Sequence, residues 1–310
     1  PRIAPLPCEA EVTARGWLLH PAATATRDHR KDFMNDRNTL HGVRQCGVMC
    51  LALMFLAGTA AAPDPSAGEP AAGEEKETLL LEPVVDPGAK ALLENLEKTY
   101  ENLQSASFSG EIRINVDIPS DAHKTNQLFT STYEAPNKFQ HQLRDGLLMA
   151  SNGGDVYIYD KEANSYLRLG IPIRKVEMRS LPIVVPQVLQ SQNPSLLFAI
   201  SRNGLREVVE SFGEIKRGAD QAIDGKTFQE LVFCSDDQDS ELHVLVDPKT
   251  FLIRRFTIDF KPALLEQGIT NVQNAEIVVD YTESKANPTF PAQHFAWTPP
   301  EDAFDMKESA

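Results

Sequence analysis

Residues able to perform acid–base, metal or nucleophilic chemistry are scattered in this sequence. The histidines beyond its first 62 residues are His123, His141, His243 and His294, and none of them forms a His-x-His or a helical histidine pair. Such pairs bring two imidazoles to one zinc ion, so we expect no dedicated zinc site. No Ser or Cys lies in a nucleophile-elbow context, and no carboxylate pair stands out from the general acidity. We therefore predict a non-enzymatic protein that needs no metal and no cofactor.

Two segments resemble ligand-binding loops but lack residues that such loops require. In the segment 218–227, Asp220 occupies the place where a phosphate-binding loop needs its first glycine. Asp224-Gly225 is typical of a tight hairpin turn, and we interpret the segment in that way. The acidic run 236–241 lacks the glycine and the distant glutamate of a helix-loop-helix calcium site. It is better interpreted as the solvated tip of a hairpin.

The cysteines give no internal disulfide. Cys8, Cys46 and Cys50 all precede the cleavage point predicted below, which leaves Cys234 alone in the mature chain. Cys234 lies in an alternating apolar run, and no His or Lys stands nearby in sequence to lower its pKa. We expect a buried structural thiol.

The charge balance argues against some partners. The 310 residues include 30 Lys+Arg and 44 Asp+Glu, which gives a net charge of −14. A protein of that charge is repelled by nucleic acid and by anionic lipid surfaces. We expect no nucleic-acid partner.

The N-terminal quarter is typical of an exported protein. Residues 1–33 have no consistent period and are interpreted as disordered sequence upstream of the true start, which we place at Met34. Residues 34–62 combine a weakly basic lead, a short apolar run and small residues, the pattern of a signal peptide cleaved after Ala61 or Ala62. The apolar run is too short to span a bilayer, so we expect no stable membrane insertion. Residues 63–85 are interpreted as a flexible acidic Pro/Ala linker.

The folded domain is predicted over residues 86–310, and it begins with a helix that leads directly into a strand. Asp86-Pro87 is a typical helix start, because the carboxylate accepts free amide hydrogens and proline has none. Leu92, Leu96 and Tyr100 then recur at helical spacing. From Ala106 to 118 the apolar residues alternate with polar ones, which predicts a strand with one buried face.

Further short strands follow, joined by turns at 135–137, 152–155, 160–164 and 247–250. Phe295 and Trp297 are predicted to begin the last strand. Residues 171–204 interrupt the strand alternation with an apolar, proline-punctuated stretch, helical over 181–204, in which Asn193-Pro194 starts a helix and Gly204 ends it. Many short strands with helices in two places predict an α+β fold with one large antiparallel sheet of about ten strands. One apolar face of that sheet must be covered by the two helical stretches.

Four segments in order resemble the LolA/LolB-type periplasmic lipoprotein carriers and, more closely, an uncharacterised family of periplasmic proteins with that fold. They are residues 103–108, 135–139, 152–160 and 295–302, within a resemblance that spans 86–306. The resemblance implies a strongly curved antiparallel sheet, an incomplete β-barrel, with helices covering its concave face and a lipid-accepting interior. One departure is Ala135, where the lipoprotein carriers have a cavity arginine, so we expect a generic hydrophobic-ligand carrier rather than lipoprotein handover by their mechanism.

We therefore expect a periplasmic binding protein that carries a lipid, a lipoprotein acyl chain or another hydrophobic ligand. Envelope proteins are further possible partners. The alternative is a cell-envelope interaction or sensor domain with a filled core and no ligand. The predicted cavity residues lie on the apolar faces of their strands, and which face points inward is inferred: Phe108, Ile112, Ile114, Phe129, Phe139, Phe256 and Ile258.

Overall fold

A computed structural model describes residues 83–118, 121–235, 240–266 and 268–307. The sequence-based assignments for residues 1–82 and most of the acidic run 236–241 lie outside the described residues. The described helices are α1 (Pro87–Asn102), α2 (Val184–Gln192), α3 (Pro194–Ile200), α4 (Gly204–Val209) and α5 (Lys261–Glu266). The described strands are β1 (Val84–Val85), β2 (Ser105–Ile118), β3 (Asp121–Glu134), β4 (Lys138–Leu143), β5 (Leu147–Asn152), β6 (Asp155–Asp160), β7 (Ser165–Gly170), β8 (Glu214–Arg217), β9 (Gln221–Ile223), β10 (Lys226–Cys234), β11 (Glu241–Val246), β12 (Ile253–Asp259), β13 (Asn274–Ala286) and β14 (Phe304–Asp305).

The described strands form one open sheet of 14 strands, in the order β1-β8-β10-β11-β12-β13-β2-β3-β4-β5-β6-β7-β14, with β9 paired to β10. The long strands pair antiparallel, whereas the two-residue edge strands β1 and β14 pair parallel to β8 and β7. The predicted α+β class and open, barrel-like sheet are confirmed. The sheet has more strands than the predicted ten, and its edges are parallel.

α1 begins where the sequence predicts. The Asp86 carboxylate accepts the amide hydrogen of Gly88 at 3.0 Å, and Pro87 occupies the first turn. The helix buries Leu92, Leu96 and other apolar side chains on one stripe. The extended backbone of Leu103 ends the helix and leads into β2.

β2 lies between β3 and β13 in the sheet, and these are the longest strands. The pairing of β2 with β3 runs from Ser105 opposite Glu134 to Ile118 opposite Asp121. On the other side β13 carries a bulge between Tyr281 and Glu283, opposite Gly110. A Cβ at Gly110 would collide with the backbone carbonyl of Asp280, so only glycine fits there.

One face of the sheet, called here the inner face, carries a single apolar core. The core joins side chains from strands in both halves of the sheet and from the helices. It includes much of a helical cover, defined as residues 181–209 with α2, α3 and α4, whose Leu189, Leu196, Leu197 and Ile200 are at most 1% exposed. The cover therefore packs on the inner face, as predicted for the apolar stretch.

Two predicted boundaries are wrong. Gly204 does not end a helix but begins α4, and the left-handed residue is Asn203 with φ 56°. Phe295 and Trp297 do not begin a strand, because residues 287–303 are irregular and β14 follows at 304. Trp297 instead packs against Tyr157 and Tyr159 with tilted rings, whose centroids lie 5.6 and 5.7 Å from its own.

The opposite, outer face is more polar. Asp280 is 5% exposed there and lies 2.6 Å from Arg255 Nη2 and 3.3 Å from Arg113 Nη2, with Arg254 also in contact. Residues 287–303 cross another part of this face, where Gln140 donates to the backbone oxygen of His294 at 2.9 Å. No helix within the described residues is long and apolar enough to span a bilayer.

Candidate hydrophobic-ligand site

The predicted cavity residues all lie on the inner face or at its margin. Ile114 and Ile258 are partly buried and pack against the edge of the core. The other five belong to the core and are 0 to 4% exposed: Phe108, Ile112, Phe129, Phe139 and Phe256.

The strand register brings several of these side chains into rows across β12, β13 and β2. Ile277 pairs with Ile258 on one side and with Ile114 on the other. Val279 pairs in the same way with Phe256 and Ile112. Neighbours in register contact one another directly on a sheet face. The two rows make a continuous apolar surface on the inner face.

Aromatic rings link this surface to the helical cover. Tyr281 packs edge-on against Phe108 and Phe129, with ring centroids 5.9 and 5.6 Å apart. Phe198 of α3 lies 6.5 Å from Phe256 and 5.9 Å from Tyr100. The cover thus supplies part of the apolar filling of the interior.

A buried polar network, defined by Tyr100, Ser131, His141, Gln192, Asn193, Ser195 and Tyr281, fastens the cover to the sheet. The Tyr281 hydroxyl donates to Asn193 Oδ1 at 2.9 Å and accepts from the Ser195 amide at 3.0 Å. The Tyr100 hydroxyl donates to Ser195 Oγ at 2.8 Å and accepts from the Ile253 amide at 3.3 Å. All seven side chains are at most 3% exposed.

The network continues to His141 on β4. Asn193 Nδ2 donates to Ser131 Oγ at 2.7 Å, and Ser131 Oγ lies 2.8 Å from His141 Nδ1. His141 Nε2 lies 3.0 Å from Gln192 Oε1, which can only accept, so Nε2 carries the proton and Nδ1 accepts from Ser131. Burial lowers the pKa of His141 to about 4, and the hydrogen bond to Gln192 opposes this shift in part. The imidazole is therefore neutral at pH 7.

Sequence reasoning did not identify this network. It correctly placed Asn193 at a helix start, where its side chain accepts the amide hydrogen of Leu196 at 3.1 Å. The available signal was the polar pair Gln192-Asn193 inside an otherwise apolar stretch. Such residues must find buried partners, but their identity depends on the fold.

The Asp224-Gly225 turn and Cys234 behave as interpreted. Asp224 and Gly225 both adopt positive φ, 49° and 75°, in the tight turn between β9 and β10. Cys234 is buried, and burial raises the pKa of its thiol. Within the part of the chain that the structure describes, no group of three or more His, Cys, Asp or Glu side chains is arranged to hold a metal ion.

No family model and no curated protein matches the sequence. Among solved structures, similar folds include an uncharacterised conserved protein from Thermus thermophilus, at 10% identity and a TM-score of 0.40, with 71% of this chain and 98% of that chain covered. A LolA superfamily protein from Nitrosomonas europaea matches at 11% identity and a TM-score of 0.27, covering 67% and 96%. The lipoprotein LppX from Mycobacterium tuberculosis matches at 10% identity and a TM-score of 0.34, covering 66% and 98%. The matches thus include the LolA superfamily, which the sequence motifs resemble.

Proposed function

We propose that this chain is an exported, non-enzymatic binding protein that carries a lipid, a lipoprotein acyl chain or another hydrophobic ligand on the inner face of its sheet. The observation that carries the proposal is how that face is covered. The sheet is a continuous backbone hydrogen-bonded ladder, whereas the cover rests on it through apolar contacts and the side chains of the polar network. The cover can therefore separate from the inner face without breaking a strand pair.

Ligand binding of this kind needs no catalytic motif. Burial of one methylene group of an acyl chain contributes about 0.8 kcal/mol. Eight buried methylenes therefore contribute roughly 6 kcal/mol before the cost of association. The rows of Ile114, Ile258 and Ile277 offer an aliphatic surface for such a chain at the margin of the core.

Phe108, Phe129 and Phe139 are buried, so a ligand can contact them only after the cover moves. These side chains are at most 2% exposed because the cover and neighbouring strands pack on them. A ligand that reaches them must displace part of the cover. We infer that the partly buried Ile114 and Ile258 make the first contacts, and that residues 34–62 direct export to the periplasm.

Uptake of an uncharged fluorescent acyl ester by delipidated protein tests the proposal. The double variant Ile114→Gln/Ile258→Gln should weaken binding by about tenfold, since two polar amides would replace part of the apolar surface. Leu128→Gln is the matched control, because Leu128 is 36% exposed on the outer face of β3 and should bind as the native protein does.

Native mass spectrometry of gently purified protein gives an independent readout. A carried lipid would appear as added mass that delipidation removes. Failure of the native protein to take up the ester, together with the absence of added mass, would contradict the carrier proposal.

One observation favours a second function. The five core members of the predicted cavity are 0 to 4% exposed, which agrees with a filled interior. A filled interior suits an envelope interaction or sensor domain that binds proteins through its surface. Two results together would support this second function. A partner protein would be crosslinked to the chain in cells, and the purified chain would not bind the acyl ester.

A further inference from the structure

Lys175 is a charged residue at the boundary of the apolar interior. It lies between β7 and the helical cover, in a segment whose Ile171 and Met178 belong to the core. The neighbouring Val176 forms a parallel bridge with Ser201, at the end of α3, and its oxygen accepts the amide hydrogen of Arg202 at 2.8 Å. The segment is therefore held against the cover at this point.

The ammonium group of Lys175 is buried and lacks a hydrogen-bond acceptor among the described residues. It lies 5.4 Å from the centre of the Tyr133 ring, which is itself completely buried on the inner face. An aromatic ring attracts a cation but accepts none of its three N–H bonds in the way an oxygen does. Burying an ammonium without an acceptor is costly.

Other groups near Lys175 do not supply the missing acceptor. The carboxylate of Glu101 on α1 acts on Lys175 through space and opposes the effect of burial, which lowers the pKa of Lys175 to about 8. The Tyr133 hydroxyl is directed to the backbone oxygen of Pro136 at 3.5 Å. Ser201 Oγ is also buried with no hydrogen-bond partner in the described part of the chain. The site thus has an unused cation and, at the bridge partner of Val176, an unused hydroxyl.

We propose that Lys175 is a head-group subsite for an anionic amphiphile, whose carboxylate or phosphate monoester pairs with the ammonium while its acyl chain lies on the inner face. This inference rests on the proposed carrier function and names its ligand class. Tyr133, Ser131 and Phe129 alternate along one face of β3, so an acyl chain leaving Lys175 would follow the inner face toward Phe129 where the cover is displaced. A neutral head group would leave the ammonium charge uncompensated, and a cationic head group would be repelled.

Displacement of the uncharged fluorescent ester tests the inference, with hexadecanoate, hexadecyl phosphate and hexadecan-1-ol as competitors. We expect both anions to bind the native protein more tightly than the alcohol. The ratio of the dissociation constants of hexadecanoate and hexadecyl phosphate should identify the preferred head group. Lys175→Met should weaken anion binding by about 10- to 100-fold and leave alcohol binding unchanged. Lys175→Arg should restore much of the preference. Lys90→Met is the matched control, because Lys90 is exposed on α1 and pairs with the exposed Glu94.

A second measurement uses the protein without substitution. In protein with ¹³C-methylated lysines, the resonance of Lys175 should titrate at a higher pH when hexadecanoate is bound, and should not change with the alcohol. Equal binding of anions and alcohol, with no effect of Lys175→Met and no change in titration, would overturn the head-group subsite and leave the carrier function standing. Absence of binding by all three competitors and by the ester would overturn both.

Discussion

At the scale of the residue, His141 links the packing of the cover to pH. Its folded-state pKa is lowered to about 4 from 6.5, and its partners are Ser131 and Gln192, neither of which titrates in this range. Between pH 6.5 and 4 the unfolded chain binds a proton that the folded chain does not. The free energy of unfolding contributed by this residue therefore falls as pH falls through that window, by about 3 kcal/mol in all, and levels off below it.

Urea unfolding of native protein and His141→Gln, measured from pH 7 to pH 4, checks this prediction. At pH 7 the free energy of unfolding of the variant should be lower than that of the native protein, because its amide cannot reproduce both imidazole contacts. The fall in that free energy between pH 6.5 and 4 that is due to His141 should be absent. His123→Gln, a change at a partly exposed histidine of β3, should keep it. Identical pH slopes for the native protein and His141→Gln would contradict the prediction.

Replacement of Lys175 should raise the free energy of unfolding, whereas most substitutions in a core lower it. Its lowered pKa means that the unfolded chain holds a proton more strongly than the folded chain between pH 8 and 10.5. Unfolding free energy due to this residue thus rises with pH in that window, and the whole penalty is present at pH 7. After solvent screening of the partly exposed side chain, we expect Lys175→Met to stabilise the ligand-free protein by about 1–2 kcal/mol.

Urea unfolding at pH 7 and pH 10.5 measures this effect. The gain from Lys175→Met should shrink at the higher pH, where the native lysine is also neutral when folded. Lys90→Met should change stability by less than about 0.5 kcal/mol at either pH. A destabilising Lys175→Met would show that the ammonium has a native acceptor.

Single residues differ in how far the sequence reveals them. Alternation on β2, β3 and β12 correctly assigned Phe108, Phe129 and Phe256 to a buried face, because strand period alone determines which residues share a face. His141 alternates in the same way, but the pattern does not show that its two ring nitrogens meet Ser131 and Gln192. Lys175 stands among prolines and charged residues and resembles a surface loop, since its burial depends on the cover packing above it.

At the scale of the element, α3 depends on one buried cap. Asn193 Oδ1 accepts the Leu196 amide at 3.1 Å and the Tyr281 hydroxyl at 2.9 Å, while its amide donates to Ser131. Asn193→Ala removes the cap, worth about 1 kcal/mol, and leaves two buried hydroxyls with a missing partner. We expect the free energy of unfolding to fall by about 3 kcal/mol.

Asp86→Ala is the matched comparison, because Asp86 caps α1 at the protein surface with a single hydrogen bond to Gly88. Its cost should be about 1 kcal/mol. Both values come from chemical denaturation at pH 7. Equal costs for the two variants would show that the buried partners of Asn193 contribute nothing beyond ordinary capping.

Elements with a strong local signal were predicted well, and those defined by distant contacts were not. Asp86-Pro87 and the change of period at Ala106 correctly placed α1 and β2. Phe295 and Trp297 alternate as strand residues do, yet they lie in an irregular segment. Trp297 packs on the outer face against rings of β6, and Phe295 packs against Phe290 and His294 of its own segment. The two-residue strands β1 and β14 are too short to carry any period, so their parallel pairing could not be foreseen.

At the scale of the whole molecule, the sheet and the cover are joined in different ways. Antiparallel neighbours could be predicted from the order of turns, whereas the pairing of β13 with β2, which brings distant strands together, required the fold. That pairing puts Tyr281 beneath Asn193 and so decides where the cover is fastened. The cover itself contacts the sheet through side chains of its apolar residues and the polar network.

This division predicts two levels of protection in amide hydrogen exchange. Amides of β2, β3 and β13 should exchange only by global unfolding, because each strand is hydrogen-bonded on both sides. Amides of α2, α3 and α4 should exchange through a separate opening whose free energy is lower by about 2 kcal/mol or more. Asn193→Ala should speed exchange in the cover well beyond its effect on the sheet, and Asp86→Ala should act mainly on α1. One uniform protection free energy across cover and sheet would mean that the cover opens only when the whole domain unfolds, and a ligand could then not reach Phe129 or Phe139 in the folded protein.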